Sequence, residues 1–267
     1  MKVSIFVSLV VFASHVFAAD VSELCSPNAE NLISFDNQIT SRPSVSDEIT
    51  VLSWNAHKYA NSRYFTDLKK LAEAADLIML QEVLHTTGWQ SRFLESIPFA
   101  FTFFKSFCTN RDEATGVQTG ARFNLQNNFN LVSPGREPVT NTPKVSGISR
   151  VEISGHGSVL MVNTHALNFN TGNSFERQMD QIATYIAAES GPVIWAGDFN
   201  TWNNSRQKYI DRKTRELGFV NVNPVNDDRT QKLDHIYVRG FTVVNAEVLK
   251  QTSSDHRPII AVLKFKN

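Results

Sequence analysis

The sequence predicts a strand-rich α+β domain, and three observations carry that prediction. Short apolar runs of β-type residues recur along the chain, each closed by a polar or charged residue. A smaller number of stretches show helical stripes instead. Once a leader-like segment is set aside, about 249 residues remain, a length that commonly folds as one large α/β or sandwich domain.

Residues 1–18 read as a cleavable signal peptide. Lys2 supplies the positive start, residues 3–11 the apolar run, and Val16-Phe17-Ala18 the small or β-branched positions a signal peptidase reads, so cleavage is expected after Ala18. Ser4 and Ser8 interrupt a run already too short to span a bilayer, and an uncleaved anchor is the alternative. No later segment is long and apolar enough to cross a membrane, so a soluble protein outside the cytoplasm, secreted or periplasmic, is expected. Residues 19–47, with Pro27, Pro43 and several serines, read as an N-terminal arm with little regular structure, and residues 48–267 as the main domain.

Within that domain residues 49–54 form a β-type run ending at Asn55. Phe65, Leu68, Leu71 and Ala72 make a helical stripe over residues 64–75. Residues 77–80 read as a short buried strand delivering Gln81 and Glu82. Residues 99–107 alternate loosely between aromatic and polar, a strand with Phe99, Phe101 and Phe103 inside; residues 116–123 and 148–153 add further strands. Residues 159–164 lead to His165. Ser174 is a fair N-cap for a helix striped by Phe175, Met179, Ile182 and Ile186, which Gly191-Pro192 closes. Residues 193–196 run into Gly197-Asp198, a helix over 205–217 stops at Gly218, and strands at 233–238, 241–248 and 259–265 complete the chain.

Lys and Arg total 26 against 26 Asp and Glu, and removing the leader shifts the balance to −1. A neutral chain carries no basic nucleic-acid footprint, although a bound cation can supply local positive charge at a phosphate. The two cysteines, Cys25 and Cys108, fit no metal-finger or Cys-x-x-Cys spacing. One disulfide or two separately buried thiols are both open.

Five strand ends carry Asn55, Glu82, His165, Asp198 with Asn200, and Asp255 with His256. Loops at strand ends are where a rigid scaffold presents reactive groups. Carboxylates beside His or Asn at such places suit holding a divalent cation and hydrolysing a phosphate ester. The strings Ser53-Trp54-Asn55, Gln81-Glu82, Asn163-Thr164-His165, Gly197-Asp198-Phe199-Asn200, Leu233-Asp234-His235 and Ser254-Asp255-His256-Arg257-Pro258 occur in an order that resembles the endonuclease/exonuclease/phosphatase superfamily. His165-Ala166-Leu167-Asn168-Phe169, Gly191-Pro192-Val193-Ile194 and the stretch from Gly197 to Trp202 resemble its YafD-like bacterial subgroup.

That resemblance implies a DNase I-like four-layer sandwich, two packed mixed β-sheets flanked by helices. It also implies the roles of individual residues. Glu82 is the expected ligand of Mg²⁺, with Mn²⁺ or Ca²⁺ as substitutes; Asn55 adds an amide oxygen or orients Glu82, and Asp255 reaches the metal as well. Asp198 orients or deprotonates the attacking water, and Asn200 donates to a phosphate oxygen. His256 serves as acid–base residue with Asp234 fixing its tautomer, and His165 protonates the leaving oxygen or binds phosphate. Arg136, in an Arg-Glu-Pro string like that of the DNase I branch, and Lys144 are further phosphate contacts. His57 and His235 flank motif residues, and His235 reads as packing; His85 and His156 have no partner in any motif.

The function implied is an exported Mg²⁺-dependent phosphodiesterase with nucleic acid as first substrate, export arguing against abasic-site repair, and a monomer is expected. A sphingomyelinase-like phosphodiesterase using the 99–107 aromatics at a membrane interface, a small-molecule phosphatase, and a non-catalytic binding protein on the same fold are the alternatives.

Overall fold

In the computed structural model, residues 24–26, 29–36, 47–169 and 173–266 are described, so the leader falls outside them. Two mixed sheets lie face to face. The first has seven strands in the order β1-β4-β5-β3-β2-β13-β12 and the second six, β10-β11-β9-β8-β7-β6. In chain order these are β1 (Leu32–Phe35), β2 (Glu48–Asn55), β3 (Leu77–His85), β4 (Ala100–Cys108), β5 (Ala114–Ala121), β6 (Leu125–Val132) and β7 (Val145–Ile153). β8 (Gly157–His165), β9 (Val193–Asp198), β10 (Val220–Asn221), β11 (Asp234–Arg239), β12 (Phe241–Val248) and β13 (Ile259–Phe265) follow. The helices are α1 (Tyr64–Ala72), α2 (Thr87–Ser96), α3 (Ser174–Ala187) and α4 (Asn204–Glu216).

Each layer boundary is an apolar cluster whose members alternate along the strands, as a period of two requires. Val51, Met79, Met161, Ile194, Ile236 and Ala261 fill the space between the sheets. Leu52, Ile78, Leu80 and Phe101 face the other way, onto Tyr64 and Leu68 of α1 and Phe93 of α2. On the second sheet Leu160, Val162 and Trp195 meet Phe175, Met179 and Ile182 of α3 and Ile210 of α4. This is the four-layer sandwich expected. Among the described residues, no helix is long and apolar enough to cross a membrane.

Three elements depart from the sequence reading. Residues 32–35, read as part of an irregular arm, form β1 and pair with β4 from Leu32↔Phe104 to Phe35↔Phe101. β6 and α2 also had no sequence signal: β6 is an edge strand rich in Asn and only half-buried, and α2 starts at Thr86, whose hydroxyl caps Trp89 N at 3.3 Å. Cys25 and Cys108 form a disulfide that ties the segment before β1 to the end of β4. Phe99, Phe101, Phe103 and Phe104 are all fully buried and Phe107 is half-buried, so the stretch is a core strand and not an exposed aromatic face.

Candidate active site

Sheet register brings the site residues together. β8 and β9 are parallel neighbours with His165 opposite Asp198, and β11 runs antiparallel to β9 with Asp234 also opposite Asp198. Three reactive side chains therefore stand in a row at one end of the second sheet. β2 and β3 are parallel in the first sheet and place Asn55 opposite Gln81, just before Glu82. Gln81 Nε2 donates to Asn163 Oδ1 at 2.8 Å, and Asn163 Nδ2 donates in turn to Leu80 O and Gln118 O, so a buried amide bridge clamps the two sheets beneath the site.

Local backbone geometry aims these groups. The β3–β5 ladder shifts register between Leu80 and Val83, and within that bulge Glu82 has a φ of 48°. A left-handed residue in a bulge turns its side chain out of the ladder, here into the cleft. Asn200 has a φ of 50°, and its backbone N–H donates to Asp198 Oδ1 at 2.9 Å. Gly197 sits at φ 142°, where a Cβ would stand 1.9 Å from Thr164 O; only glycine lets β9 approach β8 this closely.

The C-terminal motif is fastened to β2. Trp54 Nε1 donates to His256 O at 2.9 Å, and Ser254 Oγ donates to Asn55 O at 2.8 Å. His256 Nδ1 then lies 2.9 Å from Asp234 Oδ2, and its Nε2 lies 3.9 Å from Asp198 Oδ2. His165 Nε2 is 3.7 Å from both Asp198 Oδ2 and Glu82 Oε1, and Lys144 Nζ donates to it at 3.1 Å. Asp198, Asn200, His165, Asp234, His256, Glu82 and Lys144 thus form one contiguous cluster.

Three expected residues take different parts. The Asn55 amide oxygen accepts from His57 N at 3.0 Å, while its Nδ2 donates to Asp198 Oδ2 at 3.1 Å. Its donor end therefore grips Asp198, so Asn55 positions that carboxylate while one of the two lone pairs of its amide oxygen is taken by His57 N. Asp255 is 57% exposed at the side chain and pairs with His57 Nδ1 at 3.3 Å on the rim. Arg136 is turned onto its own loop, donating to Asn141 O at 2.8 Å. Its neighbour Glu137 faces inward, 4.0 Å from Lys144 Nζ, and accepts from Asn168 N and Phe169 N. His235 packs as expected, stacked on Tyr237 and bonded to Thr201, and His85 and His156 stack on Phe103 and Phe265.

Two residues of the cluster carried no sequence signal. Lys58 lies in a left-handed turn over His57–Tyr59 and pairs with Glu82 Oε2 at 2.8 Å. Arg229 forks onto Asp227 Oδ1 and Oδ2 at 2.9 and 3.1 Å and reaches Asp234 O at 3.3 Å and Oδ2 at 3.5 Å. It braces the carboxylate that holds His256.

The electrostatics follow from burial and these pairings. Burial, reinforced by the nearby Asp234 charge, pushes Asp198 up to about 7. Burial disfavours the His256 imidazolium, but the Asp234, Asp198 and Asp255 carboxylates outweigh it and raise His256 to about 10. His165 is driven well below its usual value by burial and then by Lys144. Burial opposes ionisation of Glu82, yet its cationic neighbours hold it well below the usual carboxylate range; with His165 neutral, Lys58 is the partner that keeps the charge. An NMR titration of the metal-free protein should therefore find His256 protonated through neutral pH, titrating near 10, while His85 and His235 titrate near 4. The stabilisation from His256 is complete below its ordinary 6.5 and lost as the pH rises toward 10. Mg²⁺ beside Asp198 offsets one carboxylate and should move that value downward; a His256 titrating near 6.5 with or without metal contradicts this.

The donor set fits a divalent cation. Ligand atoms of Asp198, Asp234 and His256 lie within 4.8 Å of one another, but His256 Nδ1 is already bonded to Asp234, which leaves that trio less suited to a cation than the carboxylates flanking His165. Glu82 and Asp198 offer hard oxygen donors on either side of His165 Nε2, and the crowded, buried Asp198 gains most from a neighbouring positive charge.

The profile of the endonuclease/exonuclease/phosphatase family matches residues 52–256, from the middle of β2 to His256. The chain belongs to this family. A UPF0294 protein of Klebsiella pneumoniae is 33% identical over 224 residues, covering 82% of this chain and 83% of that one, consistent with the YafD-like subgroup. An endonuclease/exonuclease/phosphatase protein from Bacteroides vulgatus superposes with a TM-score of 0.65 at 15% identity, covering 82% of this chain and 99% of the other. Sphingomyelinase C from Streptomyces griseocarneus superposes with a TM-score of 0.58 at 15% identity, covering 80% and 99%. At these identities the superpositions speak to the fold alone. The family is one of phosphoesterases that typically use a divalent metal.

Proposed function

We propose that the protein is an exported, divalent-metal-dependent phosphoesterase that hydrolyses phosphodiester bonds, with nucleic acid the first substrate class to test. The observation that carries this reading is Asp198, a buried carboxylate near neutrality set between a neutral histidine and a carboxylate-held imidazolium. Such opposed environments define base and acid in one site. Asp198 takes the proton of the attacking water as its oxygen bonds to phosphorus. The ester P–O bond breaks, and His256, kept protonated by Asp234, donates to the departing alkoxide. The proton on Asp198 can return to His256 Nε2 across the 3.9 Å between them.

Asn200 Nδ2 donates one hydrogen to Ala166 O, which leaves its second for a phosphate oxygen. Lys144, buried against His165, adds a donor on the same side. When bound, a divalent cation held by Glu82 and Asp198 supplies positive charge against the phosphate oxygens. The Cys25–Cys108 disulfide supports an oxidising compartment, in keeping with the leader-like residues 1–18. The convergence of Glu82, His165, Asp198, Asn200, Asp234 and His256 argues against a non-catalytic binding protein, and burial of Phe99, Phe101, Phe103 and Phe104 weakens the feature that favoured a lipid substrate.

Hydrolysis of bis-p-nitrophenyl phosphate should require Mg²⁺ or Mn²⁺ and stop on adding EDTA, with plasmid, RNA and sphingomyelin assayed in parallel to rank substrates. No turnover of any of these under Mg²⁺, Mn²⁺ or Ca²⁺ would defeat the proposal.

A further inference from the structure

We propose that the cavity beside the Asp234–His256 dyad is a subsite for a neutral, hydroxyl-rich group, a saccharide ring esterified to the scissile phosphate. This rests on the phosphodiesterase reading and names the kind of alcohol that the substrate carries. The cavity, about 560 Å³, falls in the range of small-molecule sites and is bounded by the first turns of α4, the segment after β10 and the loop before β11. Asp234 lines both this cavity and the adjoining cleft that contains His256, so a group seated here lies next to the reacting centre.

Charge excludes a polyanion at this place. Arg229 is forked onto Asp227, Lys232 pairs with the same carboxylate at 3.3 Å, and Asp211 accepts from Gln207 at 2.8 Å. Asp234 is held by His256 and Arg229. The cations of this wall, Arg229 and Lys232, are thus matched to its own acids, Asp211 adds a further carboxylate, and no cationic patch faces the cavity. What remains is carboxamide: Asn203, Asn204, Asn221 and Asn223 line it beside Gln207. The oxygens of Asn203 and Asn221 already accept from Arg206 N and Asn223 N, and Gln207 Nε2 donates to Asp211, so Asn203 and Asn221 serve the cavity as amide donors, a match for hydroxyl oxygens.

Trp202 completes the match. Its indole is 46% exposed, yet it is fixed in place by Nε1 donating to Asn168 O at 3.2 Å and by Arg206 lying 5.0 Å from its ring centroid. A held aromatic face beside amide groups suits the C–H face of a sugar, because the ring presents negative charge to weakly positive hydrogens. A nucleobase favours stacking platforms in an electropositive groove, and this lining is amide with its cations already paired to carboxylates.

The test compares p-nitrophenyl diesters of ribose 5-phosphate, glucose 6-phosphate and mannose 6-phosphate with p-nitrophenyl methyl phosphate, so that only the non-leaving alcohol differs. At least one sugar diester should exceed the methyl ester about tenfold in kcat/KM. Trp202→Ala and the double change Asn221→Ala with Asn223→Ala should erase that preference while leaving the methyl ester rate unchanged. Equal rates for all four esters, or variants that lower the sugar and methyl esters alike, overturn the subsite. Calorimetric titration of the same three sugar phosphates separates the two readings. Binding without any hydrolysis, weakened in Trp202→Ala, keeps the subsite and removes the phosphodiesterase; hydrolysis of the methyl ester without any sugar preference or sugar phosphate binding does the reverse.

Discussion

Asp198→Asn is expected to lower kcat on bis-p-nitrophenyl phosphate by about 10³-fold or more while making the metal-free protein more stable. The activity loss follows from position. Asp198 touches or faces Asn55, His165, Asn200 and His256, so its carboxylate is both the base of the proposed reaction and a donor atom for the cation. Losing a general acid–base group costs about 10²–10⁴-fold, and losing a metal contact adds to it. The stability gain follows from the same burial. Asp198 titrates near 7, so at neutral and higher pH the fold holds a charge that it disfavours. A raised carboxylate value means stability is greatest below the ordinary value near 3.8 and declines as the pH rises through the folded one. Asparagine removes that charge, which offsets the loss of one acceptor, since both carboxylate oxygens accept N–H donors (from Asn55 Nδ2 and Asn200 N), for a net gain of about 1 kcal/mol at pH 8. Thermal unfolding of wild type and variant in EDTA, alongside the rate assay, checks both halves. A variant that is equally active, or one that unfolds at lower temperature despite native-like circular dichroism, contradicts the assignment of strain to this carboxylate.

The second large effect concerns the disulfide. Cys25 and Cys108 are 83 residues apart in sequence, and closing a loop of that size lowers the entropy of the unfolded chain by about 4–5 kcal/mol. Replacing both cysteines with alanine should therefore cost up to that amount in urea unfolding and lower the melting temperature by about 10 °C. The segment this bond secures is held by little else of comparable strength. Leu24 is buried in the cluster with Phe101 and Phe103, and its carbonyl accepts from Lys105 Nζ at 2.7 Å, while β1 adds four residues of pairing. The proposed catalytic cluster does not include β1 or β4, so kcat should survive the change at temperatures where the variant is folded. A double variant with unchanged unfolding midpoint would show that the N-terminal segment docks without the bond.

Most of the architecture was legible because buried strands announce themselves as continuous apolar runs with a reactive residue at the end. Residues 49–54, 77–80, 159–164 and 193–196 are such runs, and each lies within an observed strand. The missing pieces are those whose partners decide their form. β1 is a four-residue strand whose pairing depends on β4, and the half-exposed Asn-rich β6 pairs only with β7. The same distinction runs through the site. Motif order placed Asp198, Asn200, His165, Asp234 and His256 together, as the sheet register does. Asn55 shows the limit: its spacing puts it at the right strand end, yet which end of the amide meets Asp198 is set by His57 N. Lys58 and Arg229 lie in irregular segments where no period constrains a side chain, so only the folded chain reveals what they touch.

The bonds from Trp54 to His256 and from Ser254 to Asn55 join groups about two hundred residues apart, and β13 must lie beside β2 before either can form. Until the closing strand arrives, the imidazole assigned as acid in the proposed reaction has no anchor on β2, so gaining that acid is tied to the last strand of the chain taking its place.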